Sequence, residues 1–255
     1  MMDGAVIKPP GPMTAGQLQR LWQTLPLSDL GDVIGAGNCL VLAPHPDDES
    51  LGCGGLIARC CAESRPPVVV ILTDGAASHP GSRRYPPARL AAVREREAAR
   101  AVQALGLPAE RLIFLREPDT RAPHAGPAFY RIVARMVASL REFDCSAIVA
   151  PWRLDPHCDH AAAARIAAEA ARVARVRHVS YPVWGWMLPD DTVVDEAAVR
   201  GWRVGVAAQL AAKRSAIAAQ ASQYGRVIDD VPDGFQLPVE LLRAVDRPWE
   251  TFLLP

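Results

Sequence analysis

The sequence lacks the features that mark membrane proteins, secreted proteins and nucleic-acid-binding proteins. It has no window of about 18 or more apolar residues free of charge, so we expect no membrane span. Its 28 basic and 28 acidic side chains balance, which leaves no basic excess to bind a nucleic acid. The first residues show no basic start followed by an apolar core, so we expect no secretory signal and a cytoplasmic location.

Cysteine pairs with a metal-binding spacing are also missing. None of the six cysteines belongs to a CxxC pair, and they lie in or beside apolar runs. This predicts reduced, mostly buried thiols, as is usual in the cytosol, and gives no support to a cysteine-based zinc site.

What the sequence does contain is a regular alternation of two kinds of segment. Short apolar runs, the first over about Asn38 to Ala43, alternate with Ala-rich stretches of helical pattern, as expected for strands buried on both faces. The alternation predicts an α/β fold with a Rossmann-like, doubly wound, mostly parallel sheet, helices on both faces and the strand order 3-2-1-4-5. We expect a single domain over residues 1–255, with an N-terminal helix over residues 12–30 and an irregular region over residues 184–255 packed on the core.

Two polar clusters follow strands of this predicted sheet. "HPDDE" (His45 to Glu49) comes directly after the first strand, and "LDPHCDH" (Leu154 to His160) directly after the fourth. In a doubly wound sheet, ligands bind beyond the carboxyl ends of the strands, where the direction of the connections reverses. With this strand order the reversal falls between the first and fourth strands. We therefore expect the two clusters to face each other across one crevice.

The residue types in the two clusters suit a metal-dependent hydrolase. A catalytic zinc takes three protein ligands and keeps one position open, and two imidazoles with one carboxylate can supply them. A carboxylate then remains as a general base, and an imidazole remains to polarise a carbonyl or donate a proton. The first cluster alone has a simpler explanation, because Asp47 to Glu49 lie where the next helix begins, and the positive helix end favours acids. The second cluster makes the metal site the better interpretation.

These residues resemble the PIG-L/LmbE family of zinc-dependent N-acetylglucosaminyl deacetylases. The family hallmark is similar to "PHPDDE" (Pro44 to Glu49) followed by a distal "HxDH", here His157 to His160. Segments such as "LGCGG" (Leu51 to Gly55) and "KRSAIAAQASQ" (Lys213 to Gln223) also look familial, so the resemblance covers most of the chain. Cys158 is a departure, since the family usually has proline at this position.

The resemblance implies a role for each residue of the two clusters. It implies three ligands for Zn²⁺, with Fe²⁺ as the alternative ion: His45, Asp48 and His160. Asp47 would be the general base. His157 would stabilise the oxyanion or protonate the leaving amine, with Asp159 holding its imidazole in position. The implied substrate is a small-molecule amino-sugar conjugate.

Three further side chains are candidate substrate-binding residues. Asp74 and Asp119 follow the second and third strands, where contact with a substrate hydroxyl and capping of a loop are equally good explanations. Arg94 lies one helical turn from Glu97, so a surface salt bridge is its default interpretation and a reach into the crevice is the alternative.

Two other functions fit parts of the sequence. A non-haem iron(II) oxygenase also uses two histidines and one carboxylate, but such enzymes usually have all-β scaffolds, unlike the helical segments predicted here. A sugar-binding protein without activity would lack the base or a metal ligand, and these are present. We therefore expect a hydrolase that removes an N-acyl group, most simply N-acetyl, from an amino sugar. The oligomeric state is not indicated by the sequence.

Overall fold

The computed structural model describes residues 5–7, 11–195, 199–231 and 234–254. Along the described chain the strands and helices follow in this order: β1 (Ala5–Ile7), β2 (Met13–Thr14), α1 (Ala15–Trp22), β3 (Leu27–Ser28), α2 (Leu30–Ile34), β4 (Asn38–Ala43), α3 (Asp48–Ala62), β5 (Val68–Thr73), α4 (Pro87–Ala104), β6 (Leu112–Glu117), α5 (Gly126–Glu142), β7 (Cys145–Pro151), α6 (Cys158–Ala174), β8 (Arg177–Tyr181), β9 (Val193–Val194), β10 (Val199–Gly205), α7 (Leu210–Ala219), α8 (Val239–Val245) and β11 (Trp249–Leu253). Short 3₁₀ helices include Trp184–Met187 and Ala221–Tyr224.

The central sheet has a parallel half and an antiparallel half. The parallel half runs β6-β5-β4-β7-β8, which confirms the predicted order 3-2-1-4-5. The antiparallel half continues from β8 through β11 and β10 to β1, with β3 paired in parallel to β10. Connections on the two sides of β4 run in opposite directions, so the predicted switch point lies between β4 and β7.

Helices cover both faces of the sheet because the strands of the parallel half are apolar on both faces. Every residue of β5 is buried, and its run of β-branched side chains is typical of such a strand. One face packs against α3, α7 and α8, and the other packs against α5 and α6. The predicted Rossmann-like, doubly wound fold class is therefore confirmed. No helix in the described part of the chain is both long and apolar enough to cross a membrane.

The prediction of one N-terminal helix over residues 12–30 is wrong. The first helix ends at Trp22, and the next one spans only Leu30–Ile34. Pro26 lies between them, and a proline disfavours helical backbone in the residue before it. The carbonyl oxygen of Pro26 accepts the backbone N–H of Arg203 at 2.8 Å, so this segment is attached to β10 and extends the sheet.

The region expected to be irregular, residues 184–255, also contributes to the sheet through β10 and β11. These strands were missed because charged residues interrupt their apolar pattern, and because each pairs with a distant segment. One of those charged residues, Glu250, is buried in an ion pair with Lys213 of α7 at 2.7 Å. Its carboxylate also accepts the backbone N–H groups of Gly55 and Leu56 in α3. Glu250 thus links three elements that are far apart in the sequence.

Candidate active site and metal centre

The loops after β4 and β7 meet at the switch point of the sheet, beside a cavity of about 260 Å³. The two polar clusters contribute four lining residues: His45, Asp47, Asp48 and His157. The other lining residues come from six further segments: Ala77, Ser78, Arg94, Asp119, Thr120, Trp184, Gln223 and Phe235. The clusters therefore face each other across one crevice, as the strand order predicts.

Asp48 lies between two histidines, one from each cluster. Its Oδ2 is 3.1 Å from Nδ1 of His45 and 3.2 Å from Nε2 of His160, and all three side chains are buried. The contact with His160 lacks hydrogen-bond geometry, and this Nε2 has no hydrogen-bond partner among the described residues. A buried ring nitrogen without a partner is costly. The donor set fits a metal ion held by these three side chains.

Asp155 orients the ring of His160. Its Oδ2 lies 2.8 Å from Nδ1 of His160 and also accepts the backbone N–H groups of Val183 and Trp184. A carboxylate on one ring nitrogen keeps the proton there and leaves the other nitrogen free to bind a metal. The free nitrogen of His160 is then Nε2, which faces Asp48.

Two other carboxylates orient the ring of His45. Its Nε2 lies 3.2 Å from Oδ2 of Asp159 and 3.2 Å from Oδ1 of Asp119, which leaves Nδ1 free toward Asp48. The contact of Asp159 corrects the expectation that its carboxylate holds His157. Backbone N–H groups of the loop after β6, at residues 120 and 122, donate to the Asp159 carboxylate and place it against His45.

The carboxylates around the donor set create a strongly negative environment. Burial opposes protonation of His160, but the charges of Asp48 and Asp155 outweigh it and raise the pKa of His160 to about 9. The pKa of His45 is also raised against the effect of burial, by its three carboxylate neighbours. Protons and a divalent cation compete for the same ring nitrogens, and the same negative charges attract both.

Asp47 has an unusual backbone conformation. Its φ is 142°, in a region that residues with a side chain avoid and that is often found at functional sites. Its N–H donates to Oε2 of Glu49 at 2.9 Å, while Arg94 donates to the carbonyl of Pro46 at 2.7 Å and lies 3.2 Å from Oδ2 of Asp47. Burial raises the pKa of Asp47 to about 7, against the attraction of Arg94. A carboxylate with a pKa near neutrality suits general-base chemistry.

His157 is the residue directly before α6, and its Nδ1 accepts the backbone N–H of Asp159 at 3.2 Å. Since Nδ1 is an acceptor, the proton of the neutral ring is on Nε2. Burial and the neighbouring rings of His45 and His160 lower the pKa of His157, so the neutral form is favoured at neutral pH. His157 is thus a neutral hydrogen-bond donor at the cavity, with its ring centroid 4.6 Å from that of His45.

The three candidate substrate-binding residues have different environments. Arg94 is 3% exposed and lies in the crevice, so the surface salt bridge with Glu97 is wrong; Glu97 instead accepts two hydrogen bonds from Ser222. Asp119 lines the cavity. Asp74 does not line it, and its Oδ1 accepts the backbone N–H of Asp119 at 3.2 Å, which is loop capping.

The exposed thiol at the second cluster belongs to Cys158. Its Sγ lies 3.6 Å from the carbonyl oxygen of Thr120 and 3.7 Å from Oδ1 of Asp159. Burial and the charge of Asp159 raise the pKa of Cys158, which disfavours the thiolate that binds metals. All six cysteines are unpaired, and four are buried, in agreement with the expectation of mostly buried thiols.

Sequence reasoning did not assign several residues of the site. Asp155 and Glu49 belong to the two polar clusters, so their position in the sequence could have indicated a supporting role. Gln223 belongs to the familial-looking segment Lys213 to Gln223, which carried no role for it. Trp184 and Phe235 come from the region expected to be irregular, and all three reach the cavity only through tertiary packing.

A doubly wound sheet with a His/Asp donor set beside a buried acid defines a class of α/β proteins with a candidate metal centre. Residues 40–171, just over half of the chain, match the model of the PIG-L family, described as GlcNAc-PI de-N-acetylase. The chain belongs to this family, which confirms the resemblance seen in the sequence. A comparison with curated protein sequences finds no significant match.

Solved structures with the same fold include proteins of different activity. The conserved protein TT1542 from Thermus thermophilus is 27% identical, with a TM-score of 0.56 over 74% of this chain and 81% of that one. N,N'-diacetylchitobiose deacetylase from Pyrococcus horikoshii is 20% identical, with a TM-score of 0.56 over 84% and 78%. GalB, the 4-carboxy-2-hydroxymuconate hydratase from Pseudomonas putida, is 20% identical, with a TM-score of 0.57 over 75% and 81%. Because one fold hosts a deacetylase and a hydratase, the reaction has to be argued from the site.

Proposed function

We propose that this protein is a zinc-dependent amidohydrolase that removes an N-acetyl group from a small-molecule amino-sugar conjugate. The observation that carries the proposal is the presence of Asp47, a buried acid with a pKa near 7, in the cavity that two of the three proposed ligands, His45 and Asp48, also line. The third, His160, lies next to Asp48, with its Nε2 3.2 Å from Oδ2 of Asp48. The family is described as GlcNAc-PI de-N-acetylase, and the similar structure from Pyrococcus horikoshii is an N,N'-diacetylchitobiose deacetylase. Both names support an N-acetylated amino sugar as the substrate class.

His45, Asp48 and His160 would hold the metal ion. Two imidazoles and one carboxylate are a donor set that zinc uses in hydrolases, and Fe²⁺ accepts the same types of donor. When bound, the ion supplies a Lewis acid for the amide carbonyl and lowers the pKa of water. The carboxylates of Asp155 and Asp159 keep the two rings oriented toward it.

Asp47 acts as the general base. Its ionised carboxylate takes a proton from the attacking water, and the positive charges of Arg94 and of a bound cation favour the ionised form against the effect of burial. The bond from its N–H to Glu49 and the bond from Arg94 to the carbonyl before it hold the carboxylate in place. Asp47 then carries the proton that the leaving amine needs.

His157 stabilises the oxyanion. As the amide carbon becomes tetrahedral, negative charge develops on its oxygen, and a prearranged N–H donor stabilises that charge. The neutral ring of His157, with its proton on Nε2, supplies such a donor. Of the two roles that the family resemblance implies for this residue, the neutral state favours oxyanion stabilisation over protonation of the amine.

The two competing reactions fit the site less well. The iron oxygenase interpretation rests on the two histidines and one carboxylate, but such enzymes usually have all-β scaffolds, whereas long helices separate the strands of this sheet. A hydratase acting on an unsaturated acid has a substrate carboxylate to bind, and if the metal ion acts at the reacting bond, a second cation is needed for that carboxylate. Among the described residues that line the cavity, Arg94 carries the permanent positive charge, and its guanidinium already bonds to Pro46, Gly75 and Asp47.

The test is release of acetate and free amine from a panel of N-acetylglucosaminides. Wild type and Asp47→Asn are loaded with Zn²⁺ or Fe²⁺, and metal content is measured in the same samples. We expect release by wild type alone, with equal metal content in both proteins. Absence of release from every member, with one metal ion bound per chain, would exclude the proposed substrate class and direct attention to other acylated amines and esters.

A further inference from the structure

Gln223 is a residue of the cavity that the proposed reaction does not use. It belongs to the 3₁₀ helix Ala221–Tyr224, and it lines the same cavity as Asp47 and His157. Its side chain is 0% exposed, yet its Oε1 has no hydrogen-bond partner among the described residues. The proposed metal ion would account for the unpartnered Nε2 of His160, which lies 3.2 Å from the cavity residue Asp48. It would not account for the amide oxygen of Gln223, which requires another explanation.

The hydrogen bonds of Ser222 determine which way this amide points. The Ser222 hydroxyl donates to Oε2 of Glu97 at 2.6 Å, and its backbone N–H donates to Oε1 of the same carboxylate at 2.9 Å. An ionised carboxylate only accepts, so the single hydroxyl hydrogen is already used. Ser222 Oγ can then only accept from Gln223, at 2.8 Å, which places the NH₂ group there. Oε1 is the atom left without a donor, and this assignment follows from the bonding network.

Burying an amide oxygen without a donor costs free energy, and native proteins keep such groups mostly where water or a ligand supplies the missing bond. We infer that Oε1 of Gln223 accepts a hydrogen bond from a ring hydroxyl of the substrate, which makes Gln223 a specificity-determining residue. This inference rests on the proposed function. An acylated amino sugar offers several hydroxyls but one amide, and the amide has to lie against Asp47 and His157 to react. The hydroxyls therefore remain available to Gln223.

The neighbouring cavity wall supports a sugar ring at this position. Trp184 and Phe235 both line the cavity and pack edge to face, with ring centroids 5.9 Å apart. The backbone N–H of Leu237 donates to the carbonyl oxygen of Gln223 at 2.8 Å, which fixes this wall to the glutamine. Small-molecule sites typically combine an apolar lining with a few polar groups that set the orientation. A sugar ring, with apolar C–H faces and hydroxyls at its edge, matches that combination.

The test compares a reactive N-acetylglucosaminide with its 3-, 4- and 6-deoxy analogues, using wild type and Gln223→Leu. In wild type, the analogue that lacks the partner hydroxyl is expected to lose about 10- to 100-fold in kcat/KM, because the buried amide oxygen is left unpaired. The penalty of an analogue is the ratio of kcat/KM for the parent glucosaminide to kcat/KM for that analogue. In Gln223→Leu the penalty of the analogue that lacks the partner hydroxyl should fall to within about 2-fold, while the penalties of the other analogues should stay as in wild type. Unchanged penalties for all three analogues in Gln223→Leu, or no penalty in wild type, would overturn the inference.

Ratios of kcat/KM between two substrates do not depend on the fraction of folded enzyme, so a merely structural role of Gln223 would leave them unchanged. Gln223→Met replaces Gln223→Leu if the branched side chain prevents folding. Gln103→Leu, at an exposed glutamine of α4, is the matched control and should keep every penalty. No hydrolysis of any glucosaminide by wild type would overturn the proposed function and this inference with it. Hydrolysis with unaltered penalties in the Gln223 variants would overturn this inference alone.

Discussion

The parallel and antiparallel halves of the sheet contribute different things to the site. The loops and first helical turns that follow β4 and β7 in the parallel half carry the proposed metal ligands, the base and His157. The segments that follow β8 supply Trp184, Gln223 and Phe235, which form one wall of the cavity. The reacting groups therefore come from strand ends that the parallel arrangement always brings to one edge. The wall that includes Gln223 comes from segments far from these strand ends in the sequence, and it reaches the cavity only when the chain folds back over the sheet.

The two halves also differ in what stabilises them. Strands of the parallel half are buried between two layers of helices, so hydrophobic burial stabilises them. The antiparallel half adds buried polar contacts between distant segments, above all the ion pair of Lys213 with Glu250. Such contacts are expensive to break, because the remaining partner is left charged and buried. Substitutions should therefore affect chemistry in one half and stability or substrate binding in the other.

The largest expected effect is the loss of the metal ligands in the parallel half. Asp48→Ala and His160→Ala should each lose bound metal and all measurable deacetylation, because they remove one of three donors. Metal content per chain after dialysis is the measurement, with circular dichroism to check folding. Asp74→Asn is the matched control at the same sheet edge, since Asp74 does not line the cavity and asparagine keeps the side-chain oxygen that accepts the N–H of Asp119; it should keep both metal and activity. Full metal occupancy in either ligand variant would contradict the assignment.

The next largest effect is expected for Asp47, the proposed base in the same half, whose substitution should change turnover but not metal content. Asp47→Asn should retain metal but lower kcat by about 10²–10⁴-fold, because an amide cannot accept the proton of water. Steady-state kinetics on metal-matched samples measures the change. Wild-type turnover by Asp47→Asn with metal bound would show that another group is the base.

In the antiparallel half, the expected effect is on stability. Lys213→Met should lower the free energy of unfolding by about 3–5 kcal/mol, because Glu250 is then buried without its partner. Urea titration measures this change, and the double variant Lys213→Met/Glu250→Gln should recover part of it. Where the single variant is still folded, its metal content should equal that of wild type. A destabilisation below about 1 kcal/mol would show that the pair contributes little.

A smaller effect is expected on substrate binding through the cavity wall. Phe235→Ala should raise KM by about 5-fold with little change in kcat, because it removes an aromatic contact worth about 1 kcal/mol. Tyr130→Ala, at an exposed aromatic residue on α5, is the control and should leave both constants unchanged. An equal fall in kcat would instead assign Phe235 to the reacting end of the cavity.

The last effect, which is smallest at neutral pH and develops only in acid, concerns His178 in β8, the strand at which the two halves join. Burial lowers the pKa of His178 to about 4, whereas the unfolded value is about 6.5. Between these values the unfolded chain binds more protons, so the free energy of unfolding should fall as the pH falls from about 6.5 toward 4. His178→Asn should show less of this fall and little change at pH 7. Identical shifts of the urea midpoint for wild type and variant between pH 7 and pH 5 would contradict the prediction.

The contrast between the halves also explains which predictions from sequence succeeded. In the parallel half, the strand over Asn38–Ala43, the strand order and the meeting of the two polar clusters agree with expectation. Each depends on a local pattern combined with a general rule for doubly wound sheets. The N-terminal helix and the irregular C-terminal region were wrong, because Pro26 ends the helical pattern and because charged residues in β10 and β11 mask their strand character.

The sequence by itself determined the types of donor at the site, since the motifs after the first and fourth strands keep their acids and histidines adjacent in the chain. Only the tertiary structure decided their partners. Asp159 orients His45, 114 positions away, and Arg94 contacts Asp47 and not Glu97. Gln223 and Phe235 reach the cavity through contacts of the same long-range kind. Such contacts depend on how complete elements pack together, and a local pattern of residue types contains no information about that packing.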